Sequence, residues 1–128
     1  MSRILVVDDD PESRDLLSEV LEANGYPLVE AVTDGSAARE ALARDNDCSI
    51  IIADLHMPHE SGLDLLRHLK KQHAKHEIVL MSSFYSPTER KLAQDLGAYA
   101  LLEKPFRISE LLELVGQLTE RNSIGIST

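Results

Sequence analysis

Five times along the chain, a short run of β-branched and aliphatic residues is followed by a longer stretch whose apolar residues recur at helical spacing. Few folds accept that alternation. Parallel neighbouring strands need a crossover long enough to hold a helix, so the pattern points to an α/β domain: a five-stranded, doubly wound parallel sheet with helices on both faces. The strands are expected at Ile4–Val7, Leu28–Ala31, Ile50–Asp54, Ile78–Ser82 and Ala100–Leu102, and the helices at Pro11–Asn24, Ser36–Arg44, Gly62–Gln72, Pro87–Leu96 and Ile108–Glu120. The first, third and fourth strands are almost wholly apolar, as strands covered on both sides are, and so belong in the centre. Gly25 and Gly97 are placed as helix stops, Asp34 and Ser109 near helix starts. A chain of 128 residues makes one such domain and not two. The tail "NSIGIST" loses helical pattern and charge together, which divides the chain into a domain over 1–121 and a tail or linker over 122–128.

The exit of the first strand, "ILVVDDD", crowds three carboxylates together. At an effective dielectric of about 20, two carboxylates roughly 5 Å apart repel by about 3 kcal/mol. A helix N-terminus offsets one of them: Pro11 suits a first helical position and Asp10 an N-cap. Asp8 and Asp9 need another offset. In a doubly wound sheet the right-handed crossovers bring the C-terminal ends of all strands to one rim, where open α/β folds bind ligands. That rim collects Asp8 and Asp9 from the first strand, Asp54 from the third, Ser82 from the fourth and Lys104 just past the fifth. Three converging carboxylates make a hard-oxygen site suited to a small divalent cation such as Mg²⁺, which takes one or two carboxylates and keeps several waters.

Charge and composition exclude other classes. With 22 acidic against 13 basic residues and a net charge of −9, the chain has no basic stripe for a phosphate backbone, which argues against direct nucleic-acid binding. A single cysteine, Cys48, rules out an internal disulfide framework and reads as a buried small hydrophobe. Neither a signal-peptide pattern nor a membrane-spanning apolar segment is expected, so the domain reads as cytoplasmic. His56, His59, His68, His73 and His76 occur without HExxH or a cysteine pair and are read as solvated side chains instead of zinc ligands.

Four stretches in order, "ILVVDDDPESRDLL", "IIIADLHMPHESGLDLL", "VLMSS" and "GAYALLEKPF", resemble the receiver domain of two-component response regulators, and the likeness runs from Arg3 to about Arg121. The resemblance implies a flavodoxin-like strand order 2-1-3-4-5. It implies that Asp54 accepts a phosphoryl group from a phosphohistidine of a sensor kinase or phosphotransfer protein. Asp9 and Asp54 would ligate Mg²⁺ directly, Asp8 through a water, and the His56 backbone carbonyl would complete the protein's share. Ser82 would bind a phosphoryl oxygen and Lys104 would pair with the phosphoryl charge. The Lys104–Pro105 bond would be cis, and His56 and Phe84 would stand where the family tunes the lifetime of the acyl phosphate. Phosphorylation would switch the face of helix 4, strand 5 and helix 5 toward an output domain, a partner or a homodimer. On this reading the chain is not an enzyme in the ordinary sense: it promotes only its own phosphorylation and dephosphorylation.

Chemistry supports the assignment, since a carboxylate can attack phosphorus and phosphoryl transfer asks mainly for positioning and charge stabilisation. Two alternatives stand beside it. A phosphohydrolase of the haloacid dehalogenase type would need a D-x-D-x-[TV] signature, which Asp10-Pro11 breaks, and a cap domain. A phosphorylation-independent interaction module with the receiver fold would not need the full set of Asp8, Asp9, Asp54, Ser82 and Lys104. One departure concerns output: three residues before the lysine, where the family carries an aromatic, stands Leu101. Alternation along a strand is expected to put Tyr99 on the same face as Leu101.

Overall fold

The computed structural model of the chain describes residues 3–44, 48–57, 59–72 and 75–127; Pro58, His73 and the segment 45–47 lie outside them. Strand and helix alternate throughout: β1 (Arg3–Val7), α1 (Pro11–Ala23), β2 (Leu28–Val32), α2 (Gly35–Arg44), β3 (Cys48–Asp54), α3 (Gly62–Lys71), β4 (Glu77–Ser82), α4 (Pro87–Asp95), β5 (Ala100–Glu103) and α5 (Ile108–Ser127). The strands pair in parallel in the order β2-β1-β3-β4-β5, so the three most apolar runs occupy the centre as their composition requires.

Side chains that look uniformly apolar in sequence divide by alternation into two cores. Leu5, Val7, Ile51, Ala53 and Leu80 face Ala38, Leu42 and Ala93 of α2 and α4 and Leu65 and Leu69 of α3. Ile4, Val6, Ile50, Ile52 and Met81 face Leu17 and Leu21 of α1 and Leu111, Val115 and Leu118 of α5. Cys48 is buried among the first set, as a small hydrophobe.

Helix starts follow local chemistry. Asp10 caps α1, its carboxylate accepting the Glu12 N–H. The Asp34 side chain accepts the Ala37 N–H at the start of α2. Ser61 with Asp64 on α3, and Ser86 with Glu89 on α4, each form a reciprocal capping box. Gly25 and Gly97 follow α1 and α4 in the left-handed region, at φ 86° and 89°. Gly62 is required for a different reason: a Cβ there would lie 2.5 Å from the Asp54 carbonyl oxygen, so only glycine lets α3 begin this close to the end of β3.

Two expectations are corrected. Tyr99 and Leu101 do not share a face: Leu101 packs on the α2–α4 side, while Tyr99 packs on the α1/α5 side and its hydroxyl meets Gln117 of α5 at 3.0 Å. Tyr99 precedes β5, so strand alternation does not govern it. The helix expected to stop at Glu120 runs on to Ser127, because extending an anchored helix fixes one residue per hydrogen bond and no proline follows to stop it.

Candidate functional site

The sheet ladder continues one step beyond several strands, and this holds the rim residues on rigid backbone. Asp8 N–H donates to Val32 O at 3.0 Å, Leu55 N–H to Met81 O at 2.8 Å, and Lys104 N–H to Ser82 O at 2.8 Å. Past Lys104 the peptide bond to Pro105 is cis, as the resemblance implied.

Asp8, Asp9 and Asp54 each bring a carboxylate oxygen to within 4.8 Å of the others. Asp8 is fully buried and Asp54 nearly so, whereas Asp9 faces solvent. Asp54 is held at both oxygens: Oδ1 accepts the His56 N–H at 3.0 Å, and Oδ2 accepts from Lys104 Nζ at 2.7 Å. Burial alone would lower the Lys104 pKa, but the hydrogen bond and charge of Asp54, with the charge of Asp8, more than offset it and hold the ammonium above its ordinary value. Asp8 Oδ1 accepts the Asp10 N–H at 3.0 Å. Asp8 Oδ2 is buried without a hydrogen bond, and Lys104 Nζ at 3.5 Å is an ion-pair neighbour too distant for a good one. A buried carboxylate oxygen left in this state is costly, and a cation between Asp8, Asp9 and Asp54 would satisfy it. The donor set, all carboxylate oxygen, fits a hard divalent ion. Among the described residues no other group of three or more such ligands converges in this way.

Ser82 is buried and its hydroxyl is fully engaged. It lies 2.6 Å from Phe84 O, 3.1 Å from Phe84 N and 3.1 Å from His56 Nδ1. The structure therefore brings Asp8, Asp9, Asp54, Ser82, Lys104 and the backbone of His56 to one rim.

Two histidines depart from the solvated reading. The His56 ring bridges Ser82 Oγ and, through Nε2, Glu89 Oε2 at 3.0 Å. His76 is half-buried with an unpartnered Nδ1, and burial pulls its pKa below the usual histidine value. The capping box of Ser86 and Glu89 has a sequence signature, S-x-x-E, that the sequence reading did not use, and nothing in that pattern pairs Glu89 with His56. Tyr85 was also missed: its buried hydroxyl lies 3.1 Å from Leu80 O and 2.7 Å from Leu102 O, tying β4 to β5.

A doubly wound sheet with a carboxylate cluster, a buried hydroxyl and an ion-paired lysine gathered at the C-terminal rim has these groups where open α/β folds bind their ligands. The chain belongs to the response regulator receiver domain family, whose pattern it matches over residues 4–116. It is 34% identical over 122 residues to the transcriptional regulatory protein CpxR of Escherichia coli K12, covering 95% of this chain and 51% of CpxR. It is 38% identical over 119 residues to the response regulator MprA of Mycobacterium leprae, covering 93% of this chain and 51% of MprA. The chain thus spans about half the length of the curated relatives it matches. The receiver domain of a Francisella response regulator superposes with a TM-score of 0.86 at 30% identity, covering 95% of this chain and 99% of that one. Among the described residues no helix is long and apolar enough to cross a membrane.

Proposed function

We propose that Asp54 is the phosphoryl acceptor of this receiver domain. The observation that carries the reading is the Asp54 carboxylate fixed between the His56 N–H and the Lys104 ammonium, beside an Asp8 oxygen that is buried and unsatisfied. In the step proposed, an Asp54 oxygen attacks the phosphorus of a phosphohistidine on a sensor kinase or phosphotransfer protein. The P–O bond forms as the P–N bond breaks, and the imidazole leaves with the bonding electrons and takes up a proton. Asp9, Asp54 and the His56 carbonyl would hold Mg²⁺, with Asp8 contributing through a water; the ion supplies charge neutralisation at the phosphoryl oxygens. Lys104, already at the acceptor, shifts its pairing from the carboxylate to the incoming phosphoryl group. Ser82 donates a hydrogen bond to a phosphoryl oxygen.

The domain then acts on no substrate but itself, promoting its own phosphorylation and hydrolysis. It works in the cytoplasm, and its modified state alters the face of α4, β5 and α5 toward an output domain, a partner or a second copy. Residues 1–121 form the receiver, and 122–128, into which α5 continues, form a tail or the start of a linker. A small acyl-phosphate donor with Mg²⁺ tests the reading on a phosphate-affinity gel. A retarded band that disappears with chelator and with Asp54→Ala is expected; an equal band from Asp54→Ala would overturn it, and no band from the native protein would favour the phosphorylation-independent module.

A further inference from the structure

The His56 ring touches two elements that the proposed acceptor chemistry does not otherwise connect. Nδ1 lies 3.1 Å from Ser82 Oγ at the end of β4, and Nε2 lies 3.0 Å from Glu89 Oε2 on the first turn of α4. The same residue's N–H donates to Asp54 Oδ1 at 3.0 Å. Glu89 is equally shared, since its other oxygen, Oε1, accepts the Ser86 N–H at 2.9 Å and closes the capping box of α4. We propose that the His56 side chain is a strap coupling the acceptor site to the N-terminal turn of α4, by holding Ser82 through one ring nitrogen and Glu89 through the other. His56 is thus a positioning residue.

This rests on the Asp54 reading and adds the route by which that site reaches α4. A hydroxyl has one proton to donate and two lone pairs, and Ser82 Oγ already has three partners in Phe84 O, Phe84 N and His56 Nδ1. It cannot donate to a phosphoryl oxygen on Asp54 without giving up a contact. The two Phe84 contacts lie within a tight local turn, whereas the His56 contact crosses between loops. Because the Glu89 carboxylate can only accept, Nε2 carries a proton in the strap, and turning Ser82 toward Asp54 weakens its hold on Nδ1. The ring is then left with Glu89 alone, and the carboxylate that caps α4 loses its link to Ser82. Linkage makes the coupling reciprocal: a partner that draws Glu89 away alters the readiness of Ser82. Between Ser82 and the α4 cap, Tyr85 is anchored on the carbonyls of β4 and β5, so the strap and not the intervening loop carries the change.

The test combines labelling kinetics with a local probe of α4. His56→Ala releases Ser82 and is expected to speed labelling by an acyl-phosphate donor about fivefold, the low end of typical coupling, because the ring is half exposed. Glu89→Gln, which keeps an acceptor for the cap, should move the rate in the same direction, and the double variant should add nothing to His56→Ala. Ser86→Ala, which removes the acceptor for the Glu89 N–H but keeps the Ser86 N–H on Glu89 Oε1 and the Glu89 carboxylate on His56, should leave labelling unchanged. On adding beryllofluoride with Mg²⁺, the amide resonances of Thr88 to Arg90 should shift in the native protein and respond much less in His56→Ala. Additive rates in the double variant, or an undiminished α4 response in His56→Ala, would overturn the strap while leaving Asp54 as acceptor. Equal labelling of Asp54→Asn would instead remove the acceptor reading and the strap with it.

Discussion

Asp9 is the exposed member of a carboxylate cluster, and substituting it isolates like-charge repulsion from packing. Asp9→Asn is expected to stabilise the metal-free domain by about 0.5 kcal/mol, in line with other exposed charge contacts, and to abolish most of the rise in melting temperature that Mg²⁺ gives the native protein. Thermal melts with and without Mg²⁺ check both halves. His76 gives a prediction in pH. Burial lowers its pKa in the fold, so the fold favours the neutral ring; its contribution is complete above the ordinary value of about 6.5 and is lost as pH falls toward the lowered one. Urea unfolding of His76→Phe should therefore show a shallower loss of stability below about pH 6.5 than the native chain. At this scale Asp8, Asp9, Asp54, Ser82 and Lys104 were legible, because strand ends in a doubly wound sheet fix where such residues meet. The His56–Glu89 pair was not, since it depends on the paths of the two loops after β3 and β4, and neither path is written in a periodicity.

Among the elements, α3 is placed by one missing side chain. Gly62→Ala would drive a methyl group to 2.5 Å from the Asp54 carbonyl oxygen and 2.9 Å from Leu80 Cδ2. The expected cost is about 1–3 kcal/mol of unfolding free energy, and the backbone that must yield is that of Asp54, the proposed acceptor, so its labelling should slow as well. Denaturant unfolding alongside acyl-phosphate labelling reads both. Ser61→Ala, at the neighbouring cap, should cost about 1 kcal/mol and leave labelling intact. The alternation of strand and helix and the central place of β1, β3 and β4 were readable because apolar spacing and burial on both faces have local signatures, whereas the full strand order came only with the resemblance to receiver domains. The face of Tyr99 was not, because alternation applies only inside the strand, and the course of α5 past Glu120 was not, because an anchored helix can continue through residues of indifferent propensity.

Over the whole molecule, two separate cores hold one central sheet while the functional groups sit at its rim, outside both. The metal-ready cluster, the ion-paired lysine and the engaged serine can thus change partners without repacking the interior. Only the helices in contact with the rim need respond, and α4 is joined to it through His56 and Glu89. Everything depends on Asp54 being the residue that is modified. Borohydride reduction converts an aspartyl phosphate to homoserine, so peptide mapping after acyl-phosphate treatment in Mg²⁺ locates the acceptor directly. The result expected is homoserine at position 54 and at no other aspartate; reduction at Asp8 or Asp9, or at no position in a protein that has been labelled, would contradict the account.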